Sequence, residues 1–194
     1  VQEHIVEDTP PETVKTFDGP TSGENNYYVT TATDITLTAT DYPENHPVGV
    51  DYIHYEVWWS EDEQNWELRE NVTVYDDTVT FNFQEESYHM LKWYAVDNLG
   101  NVEQTHVQYH AVEDTPPETV KEFDGDTYEN DYYLTTDTQI TLTAVDGPEE
   151  HPVGVYYINY EVWWKLNEED PWTLLTNETI TENTVTFNFE EESY

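Results

Sequence analysis

The chain repeats itself at an interval of about one hundred residues, and this repeat restricts the fold more than any other feature. The ten residues Val6–Lys15 recur without change at Val112–Lys121, 106 positions later. Shorter blocks recur in the same order: ITLTA at Ile35 and Ile140, HPVGV at His46 and His151, YEVWW at Tyr55 and Tyr160, and TVTFNF at Thr78 and Thr184. Because the one-residue differences between the copies fall in loops, the copies are predicted to be folded units of a tandem array.

The repeat boundaries do not coincide with the ends of the sequence. Val1–Val6 resembles Val107–Val112, the tail of the first copy, and Tyr194 matches Tyr88. We therefore expect residues 1–6 to be the tail strand of a preceding repeat, residues 7–112 to be one repeat, and residues 113–194 to be a second repeat lacking its last two strands. Two explanations stay open: the sequence is a window from a longer tandem protein, or a neighbouring subunit supplies the missing strands by strand addition.

The charge of the chain excludes several classes of partner. It carries 43 acidic and 5 basic residues, with a formal net charge of -38 and no cysteine. So few cations cannot neutralise a row of phosphates or an anionic lipid surface, and no apolar run is long enough to span a membrane. We expect no nucleic-acid partner and no direct membrane insertion in this segment. The charge would repel itself unless bound divalent cations or high salt neutralised it.

Apolar and polar residues alternate at period two in several short strings. Ile35, Leu37 and Ala39 alternate with threonines, and Ile53, Tyr55 and Val57 follow the same rule. Glycine, proline, asparagine and aspartate separate these strings, and no window has a convincing helical period. The pattern predicts about seven strands per repeat and an all-β fold, an antiparallel sandwich.

Five motifs, taken in order, resemble the immunoglobulin-like repeats of bacterial and archaeal cell-surface proteins. They are DTPPET at Asp8–Thr13, ITLTATD at Ile35–Asp41, the G-V-x-x-I-x-Y-x-V run at Gly49–Val57, YAVDNLGNVE at Tyr94–Glu103, and DTPP at Asp114–Pro117. The resemblance covers nearly the whole chain and implies tandem antiparallel immunoglobulin-like β-sandwich domains in an extracellular or cell-surface protein. The chain departs from the family pattern at YEVWW, where the family usually turns through Asp-Gly-Gly, so the next loop cannot be inferred by analogy.

Acidic and amide side chains lie where such a sandwich brings three segments to one pole. Oxygen ligands on flexible loops suit Ca²⁺, and carboxylates gathered there would otherwise repel one another. The predicted ligands of the first repeat are Glu7, Asp8, Asp41, Asp97 and Asn98, with Asn101 as a further oxygen donor, and those of the second are Glu113, Asp114 and Asp146. The competing interpretation is that 43 acids cluster by chance and that aspartates at strand ends cap turns.

Two further features recur in register. Asn71-Val-Thr73 and Asn177-Glu-Thr179 are N-x-S/T sequons 106 residues apart, and they predict N-linked glycans on an exported protein. Two tryptophan pairs, Trp58–Trp59 and Trp163–Trp164, should point to opposite faces of a strand because neighbouring side chains alternate. One of each pair is then a core residue, and the other is a sugar-stacking surface, a contact within the assembly, or simply packed under a loop.

No catalytic motif stands out in the sequence. The chain has no glycine-rich phosphate loop, nucleophile elbow or His-Glu-x-x-His motif, and acid pairs are uninformative among so many acids. We expect a non-catalytic structural segment of an extracellular stalk, filament or surface-layer protein, stiffened by Ca²⁺ where repeats meet. Its partners would be neighbouring repeats or copies of the same protein. The alternatives are a carbohydrate-binding or adhesive module that uses exposed tryptophans, and a fibre subunit completed by strand exchange.

Overall fold

The computed structural model describes residues 2–43, 45–130, 133–149 and 151–190. The chain divides into two compact units, Val1–Asp114 and Thr115–Tyr194. Within these described ranges the regular elements are β-strands, apart from one 3₁₀ turn at Glu24–Asn26. The predicted all-β class with antiparallel sheets is confirmed.

The described residues of the first unit form nine strands. They are β1 (Glu12–Asp18), β2 (Thr21–Ser22), β3 (Tyr28–Val29), β4 (Asp34–Thr40), β5 (Val50–Ser60), β6 (Glu67–Val74), β7 (Thr78–Phe81), β8 (Ser87–Asp97) and β9 (His106–Val112). One sheet has the order β1-β4-β7, and the other has the order β2-β3-β9-β8-β5-β6. The pairings are antiparallel except for the short parallel pair of β3 with β9.

The core of the first unit lies between these two sheets. Ile35 and Leu37 of β4 face Ile53 of β5 and Leu91 of β8, and all four side chains are fully buried. The alternation in the sequence therefore places one face of each strand inward, as in a β-sandwich. Each such side chain contributes about 1.5–3 kcal/mol when it is fully buried.

The second unit contains seven strands in its described residues. They are β10 (Glu118–Asp124), β11 (Thr127–Tyr128), β12 (Tyr133–Leu134), β13 (Gln139–Val145), β14 (Ile158–Trp164), β15 (Thr173–Ile180) and β16 (Thr184–Phe187). The order β10-β13-β16 repeats the three-stranded sheet of the first unit, and two further pairs are β11-β12 and β14-β15. The stack of Tyr55 on Phe81, with ring centroids 4.3 Å apart, recurs as Tyr160 on Phe187 at 4.9 Å.

The same glycine turn follows the first strand of each unit. Gly19 and Gly125 have φ angles of 136° and 139°. A Cβ at either position would lie 2.8 Å from the Cα of Thr33 or Thr138. Only glycine fits this close approach, and the buried threonine hydroxyl donates to the carbonyl of Pro20 in one unit and of Asp126 in the other.

Candidate functional site

Three of the predicted oxygen ligands meet in the first unit. The side-chain amide of Asn101 donates to Glu7 Oε2 at 2.9 Å and to Asp97 Oδ2 at 2.7 Å. Glu7 precedes β1, and Asp97 ends β8, so the contact joins segments more than ninety residues apart. Both carboxylates are buried. In this arrangement an amide NH₂ lies between the two carboxylates, where the sequence predicted a cation.

Asp97 also organises the turn that follows β8. Its Oδ1 accepts hydrogen bonds from the backbone N–H groups of Leu99 and Asn101 at 2.9 and 2.8 Å. Burial acts to raise the pKa of Asp97, but the hydrogen bonds from the side chain and backbone of Asn101 outweigh it and hold the pKa below its ordinary value. Asp97 is therefore ionised in the folded protein at neutral pH.

Two further predicted ligands bind the loop before β5. Asp41 Oδ2 accepts from the backbone N–H groups of Val48 and Gly49 at 2.6 and 2.7 Å. The Asn98 amide donates to the carbonyl groups of the same two residues, each at 3.0 Å. Asp146 repeats part of this contact in the second unit, where its Oδ2 accepts from Gly154 N–H at 2.6 Å.

The remaining predicted ligands lie elsewhere. Asp8 is exposed, and Asp114 accepts a hydrogen bond from the backbone N–H of Thr31 within the first unit. Glu113 is half-buried, and its backbone N–H donates to Val29 O at 2.9 Å. In the described ranges, no group of three His, Cys, Asp or Glu side chains is arranged to hold a metal ion. The oxygen ligands that come together are therefore Glu7, Asp97 and Asn101.

Sequence reasoning missed Glu103, a buried acidic side chain of the first unit. Its carboxylate accepts from the backbone N–H of Thr13 at 2.7 Å, from the Thr13 hydroxyl at 2.6 Å, and from the backbone N–H of Ala95 at 3.0 Å. His106 Nε2 lies 2.8 Å from the same carboxylate. Glu103 thereby ties β1 to β8. The available signal was its position as the last residue of the YAVDNLGNVE motif.

A partly buried basic cluster was also missed. Lys15 Nζ lies 2.9 Å from His110 Nε2 and about equally close to the rings of Phe17 and Trp93, at 4.8 and 4.9 Å from their centroids. His110 is fully buried and its Nδ1 lies 3.0 Å from Asn26 O, so Nδ1 donates to this carbonyl and Nε2 accepts from the amine.

Burial sets the protonation of this cluster. It lowers the pKa of Lys15 to about 7. Burial and the neighbouring Lys15 lower the pKa of His110 to about 3. His89 of β8 pairs with His110 across the sheet, and burial lowers its pKa to about 4. Both imidazoles are therefore neutral at pH 7, and the charged and neutral forms of the Lys15 amine are both populated at that pH.

The tryptophan pair of the first unit is half-buried on both sides of β5. Trp58 Nε1 donates to Glu56 at 2.8 Å, and Lys92 Nζ of β8 lies 4.9 Å from the centroid of the Trp58 ring. Trp59 Nε1 donates to the carbonyl of Glu86, and the guanidinium of Arg69 lies over the Trp59 ring. Neither ring is a free platform.

In the second unit the first tryptophan of the pair is more open. Trp163 is 47% exposed and Trp172 is 54% exposed, and together they line an open depression. Trp164 is half-buried. In the first unit, the counterpart of Trp172 is Trp66, which packs on Tyr109 of β9 at 5.7 Å.

Both sequon asparagines are exposed at equivalent places. Asn71 lies on β6 and Asn177 on β15, and each side chain donates to a glutamate of the neighbouring strand, Glu56 or Glu161. The two sites are therefore accessible from solvent.

No helix in the described part of the chain has the length and apolar character needed to cross a membrane.

Comparison with known proteins adds no family to this description. No protein-family model matches the chain, and no curated protein matches it.

Proposed function

We propose that this chain is a non-catalytic structural segment of an extracellular stalk, filament or surface-layer protein, built from immunoglobulin-like repeats. The observation that supports this most is the set of hydrogen bonds made by three buried acids, Glu7, Asp97 and Glu103. Their oxygens are bonded to N–H and O–H groups that join the N-terminal segment and β1 to the end of β8. A pull on the chain before β1 would have to break these bonds.

Single-molecule stretching of the whole chain tests this role. The expected result is a discrete unfolding event of the first unit, at a force that Glu103→Gln lowers and Glu12→Gln leaves unchanged. Glu12 is the matched control because it is exposed and lies on β1, next to Thr13. An unfolding force that is the same in both variants would contradict the mechanical role of the Glu103 contacts.

Calcium binding at the Glu7–Asp97–Asn101 cluster is the second part of the proposal. Turning the Asn101 amide would present its oxygen to the same point as the two carboxylates, which gives three oxygen ligands of the type Ca²⁺ prefers. Exposed Asp8 lies next to Glu7 in the chain and can add a fourth. A bound ion would replace the amide hydrogens that now separate the carboxylates.

Thermal unfolding of the whole chain in EDTA and then in a Ca²⁺ series tests this part. Saturation at 100 times the dissociation constant stabilises the folded state by about 2.7 kcal/mol, which raises the midpoint of the first unit by roughly 10 °C or more. Asp97→Asn should abolish the rise, whereas Asp34→Asn, at an exposed position on β4, should retain it. A rise no larger than that produced by NaCl of equal ionic strength would rule out a specific calcium site.

A carbohydrate-binding role is the second candidate, and the open depression between Trp163 and Trp172 favours it. Aromatic faces of this kind can stack on sugar rings. Titration of soluble polysaccharides into the chain, with Trp163→Ala and the equivalent Trp58→Ala as paired variants, tests it. Loss of binding only in Trp163→Ala would support the adhesive role, and absence of binding in the unmodified chain would contradict it.

A further inference from the structure

The sequon asparagine of the first unit shares a carboxylate with a tryptophan. Asn71 Nδ2 of β6 donates to Glu56 Oε1 at 3.4 Å, and Trp58 Nε1 of β5 donates to Glu56 Oε2 at 2.8 Å. The Glu56 carboxylate therefore joins the nitrogen to which an N-linked sugar would be attached and an indole ring. Asn71 is exposed and Trp58 is half-buried, so a sugar on Asn71 begins beside the exposed part of that indole.

The second unit repeats this arrangement atom for atom. Asn177 Nδ2 donates to Glu161 Oε1 at 3.0 Å, and Trp163 Nε1 donates to Glu161 Oε2 at 2.8 Å. These contacts lie within the strand pair β14-β15, so they do not depend on any other strand of the sheet. The two sequons therefore share their side-chain neighbours as well as their spacing in the sequence.

Aromatic rings extend the same face of the first unit beyond Glu56. The ring centroid of His54 lies 5.0 Å from that of Tyr94, which lies 6.5 Å from that of Tyr52. All three side chains are half-buried. They alternate along their strands with core residues, so they lie on the outer face of the sheet. Asn71 thus lies beside a polar and aromatic surface that faces solvent.

This surface matches the chemistry of a pyranose sugar. Such a ring carries hydroxyl or acetamido N–H donors at its rim and C–H groups on its faces. An ionised Glu56 carboxylate accepts strongly from the donors, and the exposed part of the Trp58 indole packs against the C–H groups. Attachment to Asn71 leaves one hydrogen on Nδ2, so the contact with Glu56 can be kept. The covalent link also holds the sugar at a high effective concentration, at which weak contacts are sufficient.

We propose that Glu56 and Trp58 form a docking site for the first sugar of an N-linked glycan on Asn71, and that Glu161 and Trp163 do the same for Asn177. The glycan then lies on the outer face of the sheet and stabilises the pairing of β5 with β6. The inference rests on the sequon prediction and on the extracellular part of the proposed function. It does not rest on the mechanical role or on calcium binding.

The test compares the whole chain with and without a glycan on Asn71. A chain carrying Asn177→Gln is made in a bacterium that lacks N-glycosylation and in a secreting yeast, and part of the yeast product is trimmed with an endoglycosidase to a single N-acetylglucosamine. The thermal midpoint of the first unit should be about 5 °C higher in the yeast product, and it should stay higher after trimming. In NMR spectra, saturation of the sugar protons should transfer to the indole protons of Trp58.

The two neighbouring tryptophans provide a matched pair of variants. The same comparison of hosts is made for Trp58→Leu and Trp59→Leu, and taking the difference between hosts removes the cost of each substitution itself. Trp59 lies next in β5 on the opposite face, where Arg69 lies over its ring. Trp58→Leu should lose the stabilisation by the glycan, whereas Trp59→Leu should keep it.

Several results would overturn the docking site. They are a glycosylated parent chain with no rise in the midpoint, a rise that disappears on trimming, or an equal rise in the two tryptophan variants. Saturation transfer is measured on the parent chain, so its absence would overturn the site even if Trp58→Leu did not fold. A yeast product without a glycan on Asn71 would overturn the sequon prediction as well, and none of these results would change the unfolding force expected for Glu103→Gln.

Discussion

Replacing Glu103 by glutamine should destabilise the first unit more than any other isosteric change of an acid there. Each carboxylate oxygen of Glu103 accepts from a backbone N–H: Oε1 from Thr13 and Oε2 from Ala95. A glutamine side chain has one oxygen and one NH₂ group. Whichever way the amide is turned, its NH₂ faces one of these two N–H donors, and that donor loses its acceptor.

The magnitude follows from the geometry. A buried donor left without an acceptor costs about 1–3 kcal/mol, and the remaining hydrogen bonds lose the strength that an ionised acceptor gives them, about 1 kcal/mol more. The expected loss is therefore about 2–4 kcal/mol. For a unit of this size, each kcal/mol lowers the thermal midpoint by about 4–8 °C, so the Glu103→Gln midpoint should fall by roughly 10–25 °C.

Urea unfolding of the whole chain, followed by hydrogen exchange at β1 and β8, measures this loss. Glu12→Gln removes the same charge from an exposed position of β1 and should shift stability by less than about 0.5 kcal/mol. Thr13→Val adds a double-mutant cycle, and its effect should shrink in the Glu103→Gln background because the two side chains share a bond. Equal midpoints for Glu103→Gln and Glu12→Gln would refute the reasoning.

Three further predictions concern protonation and modification. Between pH 6.5 and about 4 the unfolded chain protonates His89 and His110 while the folded chain does not, so the free energy of unfolding decreases as the pH falls. The decrease in the urea midpoint over this range should be smaller in His110→Gln. The pKa of Lys15 is lowered from 10.5 to about 7 by folding, so the unfolded chain binds this proton more readily and the contribution of Lys15 to stability increases from pH 7 to 10.5. Relative to the parent chain, Lys15→Met should be most stabilising at pH 7, and its advantage should vanish near pH 10.5. In a host that glycosylates secreted proteins, Asn71→Gln and Asn177→Gln should each remove one glycan mass; an unchanged mass in both would contradict the sequon prediction.

The strands were predictable because the local pattern and the tertiary environment agree. The period-two alternation at Ile35, Leu37 and Ile53 predicts which face is buried, and all three are fully buried. The division of the strands between two sheets was not readable from the pattern, because alternation reports a face and not a neighbour. The parallel pairing of β3 with β9 joins residues more than eighty positions apart, and no local signal encodes such a contact.

The acidic cluster shows a different limit. The motif positions of Glu7, Asp97 and Asn101 predict a meeting of oxygen-bearing side chains, and the structure brings these three together. Sequence spacing could not tell whether a cation or a hydrogen-bond donor lies between the carboxylates, because both bind carboxylate oxygens. It also could not distinguish Asp41, whose carboxylate is fully engaged by backbone N–H groups, from an acid that is free to bind an ion.

The structural roles of Glu103 and Lys15 could not be predicted from the sequence, and the physical reason is the same for both. A charged residue at an inward position looks like an interruption of the strand pattern unless its partner is known, and the partners Thr13 and His110 lie ninety and ninety-five positions away. The burial of a charge is costly unless such a partner is held in place.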